Sequence, residues 1–511
     1  MPAARPFVRS AMVEALAAGE FDVLVIGGGV TGLGVAVDAA SRGLRTALVE
    51  RDDFASGTSS KSSKLVHGGL RYLQQGEVRL VYEALHERQR LLRNAPHLVE
   101  VLPFMLPILT KDGLVSRKIA RALGSALWMY DVTGGWRIGR FHRRLRRTKA
   151  RELMPTMPAE RLASAYVYYD AQADDARLCL SLARTAADLG AVVVNRCAYR
   201  DGAVEADGRR IPVSARVIVN ATGVWNHEVP TRPAKGVHVT VPWNKVRNSI
   251  AVVIPVPKDR RSLFVVPWGP RPDGTFTHTY VGTTDTDYQG PLDDPQCTRT
   301  DIDYVLRALN ASVTTGVTED DITGVWAGLR PLVKETDDSR TADLSRRHLV
   351  TTSENGVITV TGGKLTTYRH MAEDAVDTAC RALGRNERCR TKRLRLHGHD
   401  GSREKELARS ITENPELEQP LVNGLPYSRA EAVYAARFEM VNTLDDVLSR
   451  RTRALIFDRD AARRAARSTA ELIAPHLGWS ADRIDAEVAA FEEICLHEEM
   501  AGRIREDELH A

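Results

Sequence analysis

Residues 21–51 read "FDVLVIGGGVTGLGVAVDAASRGLRTALVER", and this stretch decides the fold. An apolar strand, a glycine turn, a helical segment and a second apolar strand follow one another. Gly27, Gly29 and Gly32 form the pattern G-x-G-x-x-G, in which the first glycine permits a tight turn and the second lets backbone N–H groups approach a pyrophosphate. The third lets the helix pack against the strand. The pyrophosphate would then lie at the positive N-terminus of the helix. The pattern predicts a dinucleotide site.

Glu50 ends the second strand, where its carboxylate can accept hydrogen bonds from a ribose diol. Because a carboxylate suits an unphosphorylated ribose, FAD and NAD are favoured over NADP. Two later segments favour FAD. Residues 215–225, "ARVIVNATGVW", are a strand ending in Ala-Thr-Gly, and residues 356–380, "GVITVTGGKLTTYRHMAEDAVDTAC", are a strand, a Gly-Gly-Lys turn and a helix. That helix N-terminus would stabilise the negative charge of a reduced flavin, so the three segments predict a discontinuous flavin domain.

The composition is that of a globular chain, with 511 residues, 43% hydrophobic and 27% charged. A net charge of +5 is small for this length and does not indicate a nucleic-acid partner. The six cysteines include no C-x-x-C pair, which argues against a disulfide framework or a zinc site, so no metal site is expected and a reducing cytoplasm is favoured. The N-terminus lacks the apolar core of a signal peptide, and no uncharged apolar run reaches about 18 residues, so no membrane-spanning helix is expected.

The fold class predicted is α/β, with a discontinuous FAD-binding Rossmann-like domain, an antiparallel-sheet substrate (cap) domain and an α-helical C-terminal domain. Runs such as "HVTV", "IAVVIPV" and "LFVVPW" predict the antiparallel sheet. Ser428 and Glu431 form a predicted capping box at the start of a late helix. The predicted boundaries are 1–75, 161–235 and 326–395 for the flavin domain, 76–160 for a helical and basic insert, 236–325 for the cap sheet and 396–511 for the helical domain.

With these segments in place, the chain closely resembles the FAD-dependent (quinone-linked) glycerol-3-phosphate dehydrogenases. The resemblance runs from about residue 21 to 370 in family order, and the helical C-terminal region also resembles the extra domain of the family. The most specific motifs are "SSKLVHGGLRYL" and "GGKLTTYR". The other matching stretches are "DVLVIGGGVTGLGVAVDAASRGL", "DDARL", "NATGVW", "KGVHV", "GTTDTDY" and "GLRPL".

The resemblance implies oxidation of sn-glycerol 3-phosphate to dihydroxyacetone phosphate, with a hydride passing from C2 to flavin N5 and electrons going on to a membrane quinone. It also implies a cytoplasmic enzyme, peripheral on the inner face of the cell membrane and commonly a homo-oligomer. An oxidase of the same superfamily that uses oxygen is a rival interpretation, as is a flavin amine or 2-hydroxy-acid oxidoreductase. A non-catalytic, membrane-associated flavin-binding module is the alternative outside enzymes.

The stretch "TSSKSSKL", residues 58–65, matches the loop of the family that embraces the flavin. Gly68 and Gly69 then let the chain pass close to the isoalloxazine, which leaves Arg71 and Tyr72 facing the substrate. The alternative is a surface ion pair for Arg71 and a core position for Tyr72. The residues expected to bind the cofactor are Gly27, Gly29, Thr31, Gly32, Glu50, Thr58, Ser59, Ser63, Lys64, Leu65, Gly223, Gly363, Lys364 and Leu365.

The substrate phosphate calls for arginine, because a guanidinium contacts it through a bidentate fork and a lysine does not. Arg330 in "GLRPL" and Arg346 in "DLSRRHL" match the substrate-binding arginines of the family. Arg347 adjoins Arg346 and is an alternative counterpart. For each of them the competing interpretation is a solvated arginine of a loop or helix end.

The C2 hydroxyl must lose a proton as the hydride leaves, and histidine is the natural base near neutral pH. His238 in "KGVHV" falls where the family carries an active-site histidine, although a histidine in an apolar strand is also a common core residue. Arg71, Arg330 and Lys364 would lower the energy of the alkoxide electrostatically, so a weak base could suffice. His67 is expected to pack near the flavin rather than to act as the base.

A basic segment precedes the cap sheet. Residues 137–151, "RIGRFHRRLRRTKAR", carry eight Arg or Lys. They are either a solvated basic face over the core or an anchor on anionic lipid, where each basic residue contributes about 1 kcal/mol; nucleic acid is the weakest option, since no recognised motif supports it. Upstream, residues 114–130 place Val115, Ile119, Leu123 and Leu127 on one helical face, with Arg117, Lys118 and Arg121 toward the others.

Overall fold

A computed structural model of the protein describes residues 7–70, 77–110, 117–259, 261–333 and 348–504, with the backbone alone over 117–122. The α-helices of these residues are α1 (Arg9–Ala18), α2 (Val30–Ser41), α3 (Val78–Asn94), α4 (Arg117–Thr133), α5 (Arg147–Leu153), α6 (Asp175–Asp188), α7 (Arg299–Asn310), α8 (Tyr368–Ala382), α9 (Ser402–Glu413), α10 (Arg429–Phe438), α11 (Ala454–Phe457), α12 (Arg459–Leu477) and α13 (Ala481–Ala501).

The strands alternate with these helices in the first half of the chain and dominate its middle. In chain order they are β1 (Glu20–Ile26), β2 (Thr46–Val49), β3 (Leu65–Val66), β4 (Val99–Leu109), β5 (Arg143–Arg146), β6 (Leu162–Ala173), β7 (Val192–Val194), β8 (Ala198–Arg200), β9 (Ala203–Ala206), β10 (Arg209–Pro212), β11 (Ser214–Asn220), β12 (Thr231–Pro242), β13 (Ala251–Pro255), β14 (Ser262–Pro270), β15 (Phe276–Gly282), β16 (Thr286–Asp287), β17 (Gly324–Val333), β18 (His348–Thr352) and β19 (Ile358–Gly362).

The nucleotide sheet is assembled from segments that are distant in sequence. Its strands lie in the order β18-β19-β11-β1-β2-β7, and they are parallel except for β18, which pairs antiparallel with β19. Helices α6 and α8 pack against α2, and the apolar side chains of the sheet and helices form one core cluster. Because β1 and β11 are neighbours, the glycine turn after β1 lies beside the Ala-Thr-Gly turn after β11. This sheet confirms the discontinuous Rossmann-like fold.

The second sheet is the predicted cap. It has the order β16-β12-β15-β14-β13-β4-β6-β3, with β17 also pairing with β12 and β5 with β6. The antiparallel pairs β12–β15, β13–β14 and β14–β15 contain the predicted β-branched runs. The long strands β4 and β6 extend the sheet beyond the predicted range of 236–325, because their apolar residues find partners there. The segment 76–160 is therefore only partly helical, and the domain boundaries stay predictions.

The C-terminal region is helical, as the sequence indicates. The backbone N–H of Ser428 donates to Glu431 Oε2 at 3.0 Å, which confirms the predicted capping box of α10. In α13, Val488, Phe491 and Cys495 are buried. These helices and the cap sheet share one hydrophobic core cluster, which contains Trp326 and Tyr280 from the sheet and Phe457 from the helical region. The helical region therefore braces the sheet that carries the predicted substrate residues.

Candidate active site

A cavity of about 390 Å³ lies at the carboxyl ends of β1, β2 and β11, where a doubly wound sheet binds its ligand. Two other stretches contribute to its wall. They are the first residues of the loop 56–65, called here the flavin loop, and residues 362–365 at the end of β19, called here the flavin turn. Ten of the residues predicted to bind the cofactor line this cavity: Gly27, Gly29, Thr31, Glu50, Thr58, Ser59, Gly223, Gly363, Lys364 and Leu365.

The glycine turn after β1 can be built only with glycine at two of its positions. Gly27 has φ +110°, and a Cβ there would lie 2.7 Å from the carbonyl oxygen of Ala221. A Cβ on Gly32 would lie 2.0 Å from the carbonyl oxygen of Gly27. Gly29 directly precedes α2, and the first residues of that helix, Val30 and Thr31, line the cavity with it. The turn is thus shaped for a pyrophosphate.

Glu50 closes the opposite end of the cavity, at the end of β2. Its Oε2 accepts a hydrogen bond from the N–H of Gly28 at 2.5 Å, and its Oε1 accepts one from the N–H of Asp52 at 2.8 Å. Burial raises the pKa of Glu50, and these two backbone donors oppose the shift. They also fix the carboxylate in place, where each oxygen keeps a further lone pair for a ribose hydroxyl.

The flavin loop is held in shape by its own side chains. The hydroxyl of Thr58 donates to the carbonyl oxygen of Leu329 at 2.6 Å, and the hydroxyl of Ser59 accepts from the N–H of Val30 at 2.9 Å. Gly32, Ser63, Lys64 and Leu65 do not belong to the cavity lining, and their direct contact with the cofactor stays a prediction. Leu65 lies in β3, which pairs with β6.

Lys64 has a buried ionic partner that the sequence analysis did not identify. Its ammonium contacts Asp175 Oδ1 at 3.0 Å, and both side chains are fully buried. Arg453, from the helical region, approaches the same carboxylate at 3.3 Å. Burial and the charge of Arg453 lower the pKa of Lys64 to about 8, against the effect of Asp175. Asp175 lies within the motif "DDARL", which was the available signal, but the pairing joins three distant segments.

The turn at His67 and Gly68 rests on a second buried network. The N–H of Gly68 donates to the hydroxyl of Tyr130 at 3.1 Å, and that hydroxyl donates to Asp170 at 2.7 Å. Arg88 forms an ion pair with the same aspartate. A Cβ on Gly68 would lie 2.7 Å from the Tyr130 hydroxyl, so only glycine permits this approach. Sequence analysis missed this network because Arg88, Tyr130 and Asp170 come from three separate elements.

Arg330 lies on β17 with its guanidinium oriented by three oxygen atoms. It donates to Asp285 Oδ1 at 2.9 Å, to the hydroxyl of Thr283 at 3.1 Å and to the carbonyl oxygen of Thr284 at 3.3 Å. A Cβ on Gly236 would lie 2.6 Å from the guanidinium, which accounts for the glycine in "KGVHV". The arginine is therefore placed by the neighbouring strand, and its side chain keeps 22% of its surface exposed for a ligand.

His238 is buried in the cap sheet beside the flavin loop. Its Nε2 lies 2.8 Å from the hydroxyl of Ser63, and its ring stacks on Trp326 with a centroid separation of 4.7 Å. A Cβ on Gly282 would lie 2.3 Å from the imidazole, so the opposite strand is glycine there. Burial lowers the pKa of His238 well below its ordinary value, and the charges of Lys64 and Arg330 add to that effect. This environment therefore favours the neutral imidazole.

The structure brings together part of the predicted catalytic set. Lys364 lines the cavity at the flavin turn, and both Arg330 and Lys64 are close enough to His238 to shift its pKa. The predicted substrate residues Arg71, Tyr72 and Arg346 lie outside the described residues, as does the alternative Arg347. Their roles stay predictions, and so does the role of His238 as base.

Comparison with known proteins identifies the class of this site. Residues 22–369 match the family model described as FAD dependent oxidoreductase, and residues 393–484 match the one described as the C-terminal domain of alpha-glycerophosphate oxidase. A protein of Mycobacterium tuberculosis named glycerol-3-phosphate dehydrogenase 2 is 39% identical, with 95% of this chain and 90% of that protein covered. The mitochondrial glycerol-3-phosphate dehydrogenase of Mesocricetus auratus is 35% identical, over 96% of this chain and 75% of its own.

A solved structure agrees with the sequence relatives. The glycerol-3-phosphate dehydrogenase of Bacillus halodurans in complex with FAD superposes with a TM-score of 0.73 at 28% identity, covering 96% of this chain and 97% of that one. The cavity therefore belongs to an FAD-dependent oxidoreductase, and its cofactor is FAD. Within that class, the chain belongs to the glycerol-3-phosphate dehydrogenase family.

Proposed function

We propose that the protein oxidises sn-glycerol 3-phosphate to dihydroxyacetone phosphate and delivers the electrons to a membrane quinone. The observation that carries the proposal is the pre-oriented guanidinium of Arg330, on the strand next to His238, in a chain whose relatives are glycerol-3-phosphate dehydrogenases over nearly its whole length. Bound FAD supplies the hydride acceptor. The residues of the chain bind the phosphate, position C2 and take up the hydroxyl proton.

The phosphate is bound through Arg330, because Asp285 and Thr283 hold the planar guanidinium at a fixed angle and part of the side chain stays exposed to an oxygen ligand. Lys364 adds a second positive charge at the flavin turn, which stabilises the developing alkoxide. Burial and the nearby cations favour the neutral form of His238, which is the form that accepts a proton. Its low pKa makes it a weak base, and the neighbouring cations offset this weakness by lowering the proton affinity of the substrate hydroxyl.

Anaerobic addition of sn-glycerol 3-phosphate should bleach the flavin of the wild-type protein, and Arg330→Lys should slow this reduction while flavin content stays unchanged. Lysine keeps the charge but loses the fork, and a lost charge-assisted hydrogen bond costs about 1.5–3 kcal/mol, or about 10- to 100-fold in kcat/KM. The control is Arg299→Lys, because Arg299 on α7 belongs to an exposed ion pair. In this control variant, the substrate should reduce the flavin at the wild-type rate. Wild-type kinetics in Arg330→Lys would remove Arg330 from the phosphate site.

A patch of exposed apolar and aromatic side chains supports the proposal that electrons are delivered at a lipid membrane. Trp128 and Val132 on α4 are 57% and 72% exposed, and Phe141, 56% exposed, lies with its ring 6.2 Å from that of Trp128. No described helix is long and apolar enough to cross a bilayer. Exposed tryptophan and phenylalanine beside arginine are typical of a face that lies in the headgroup region. The exposed arginines next in sequence are Arg140, Arg143, Arg144, Arg146 and Arg147.

Changing Arg143, Arg144, Arg146 and Arg147 to glutamine should weaken sedimentation with anionic vesicles by at least about tenfold, because each charge near the surface contributes about 1 kcal/mol. Activity with a soluble dye should survive, whereas activity with a membrane quinone should fall. The control changes four exposed arginines elsewhere in the chain to glutamine, namely Arg45, Arg209, Arg409 and Arg467. This control variant should bind vesicles like the wild type. Equal vesicle binding by the two quadruple variants would make the segment a solvated basic face.

Oxygen is the second candidate acceptor, since residues 393–484 match a domain named after alpha-glycerophosphate oxidase. The two acceptors are separated by the stoichiometry of hydrogen peroxide. One peroxide for each substrate oxidised in air would establish an oxidase. Turnover that requires a quinone or dye and produces little peroxide supports the dehydrogenase.

A further inference from the structure

A cluster of metal-binding side chains lies on the outer side of the flavin turn. Its members, His348, His370 and Asp374, are called here the histidine cluster. His348 is the first residue of β18, while His370 and Asp374 lie one helical turn apart on α8. Ligand atoms from all three side chains lie within 4.8 Å of one another. The sequence analysis expected no metal because it considered cysteine spacing, and this cluster is formed only when β18 folds against α8.

The separations within the cluster are close to those that a tetrahedral ion requires. Bonds of about 2.0–2.1 Å to zinc place neighbouring ligand atoms about 3.3 Å apart. His348 Nε2 lies 2.7 Å from Asp374 Oδ2, and His370 Nε2 lies 3.7 Å from Asp374 Oδ1. Both of these separations lie within about 0.6 Å of the value for a tetrahedral zinc ion.

The elements that carry the cluster are held firmly in place. His370 and Asp374 share one face of α8 because they are four residues apart. The opposite face of α8 is buried, with Ala372 and Val376 in the core of the nucleotide sheet. His348 pairs in register with Gly362, the first residue of the flavin turn. The ligand positions are thus set by the fold before any ion arrives.

The cluster can also be reached from solvent. The exposed fractions of its side chains are 16% for His348, 31% for His370 and 41% for Asp374. A simple hydrogen bond between His348 and Asp374 explains one pair of contacts but leaves His370 beyond hydrogen-bonding distance of the carboxylate. Two imidazoles directed at the two oxygens of one carboxylate are a donor set for a metal ion.

We propose that the histidine cluster binds one divalent cation of the zinc class, with two imidazole nitrogens, one carboxylate oxygen and an open position for water. Imidazole favours zinc, nickel, cobalt and copper, whereas magnesium and calcium prefer all-oxygen sites. The bound ion joins β18 to α8 across the flavin turn. A Cβ on Gly363 would lie 3.3 Å from the Cβ of His348, so the ligand residue packs directly on that turn.

The test uses the tag-free holoenzyme and zinc at controlled free concentration, with bound metal measured after equilibrium dialysis. The wild type should bind one zinc ion more per chain than His370→Ala or Asp374→Asn, or should bind it at least tenfold more tightly. Magnesium at the same concentration should not compete. His86→Ala is the matched control, since His86 is a partly exposed histidine on α3 that bonds to the carbonyl oxygen of Tyr82, and it should bind zinc like the wild type.

Two further readouts separate a site from a folding effect. Zinc should raise the thermal midpoint of the wild type but not of His370→Ala, because binding to the folded state alone stabilises it. Cobalt should give an absorption band of four- or five-coordinate geometry on the long-wavelength side of the flavin band, and the band should be absent in Asp374→Asn. Unchanged flavin content in both variants shows that they fold. Equal zinc binding by the wild type and both variants would overturn the proposal.

Discussion

Gly29→Leu should be purified without flavin, while the wild type carries FAD in a one-to-one ratio. Gly29 lines the cavity and directly precedes α2, whose first N–H groups are the expected pyrophosphate donors. A Cβ at this position would already lie 3.1 Å from the hydroxyl of Ser59, so the rest of a leucine side chain must enter the space for the pyrophosphate. Absorbance of the flavin relative to that of the protein measures the loss.

The control for this variant is Gly208→Ala, at a glycine with φ +71° in the hairpin between β9 and β10. Nothing lies within 4 Å of the added Cβ, so the cost is the backbone strain of about 1 kcal/mol and the flavin should stay bound. Far-ultraviolet circular dichroism should show both variants folded. Full flavin content in folded Gly29→Leu would mean that the pyrophosphate binds elsewhere.

The nucleotide site could be predicted from sequence because its physics is local. A Cβ on Gly32 would collide with the backbone of Gly27 in the same turn. A Cβ on Gly27 would collide with the backbone of Ala221, which follows the neighbouring strand. Glu50 stands at a strand end fixed by the same βαβ unit. The segments around Gly223 and Gly363 were recognisable for the same reason, since each is a strand followed by a turn with positive φ.

The supporting networks could not be predicted, because they depend on pairings between distant segments. Lys64 and Asp175 are 111 residues apart, and Arg453 is a further 278 residues along. In the sequence, Lys64 in a serine-rich loop suggests a contact with a ligand. Only the fold shows that its ammonium forms an ion pair with the buried Asp175. The histidine cluster was missed in the same way, since His348 and Asp374 meet only across β18 and α8.

Asp175→Asn should lower the free energy of unfolding by about 3–5 kcal/mol, the cost of removing one partner from a buried ion pair. The carboxylate accepts from Lys64 at 3.0 Å, from Arg453 at 3.3 Å and from the hydroxyl of Ser62 at 2.7 Å. Asparagine has the same shape, yet it leaves two buried cations facing one another. Urea unfolding followed by flavin release and circular dichroism measures the change, and the exposed pair variant Asp485→Asn should shift it by less than about 1 kcal/mol.

The pH dependence separates charge from packing in the same variant. Burial raises the pKa of Asp175, but Lys64 and Arg453 outweigh it and hold the pKa below its ordinary value. A depressed pKa in the folded state contributes stability that is present above the unfolded pKa of about 3.9 and is lost as pH falls through the folded pKa. The gap between the wild type and Asp175→Asn should therefore be full at neutral pH and should narrow below about pH 4. In a Lys64→Met background the same substitution should cost less, by about 0.5–3 kcal/mol. A gap that is independent of both pH and Lys64 would mean that Asp175 acts through packing, and that the ion pair does not hold the flavin loop.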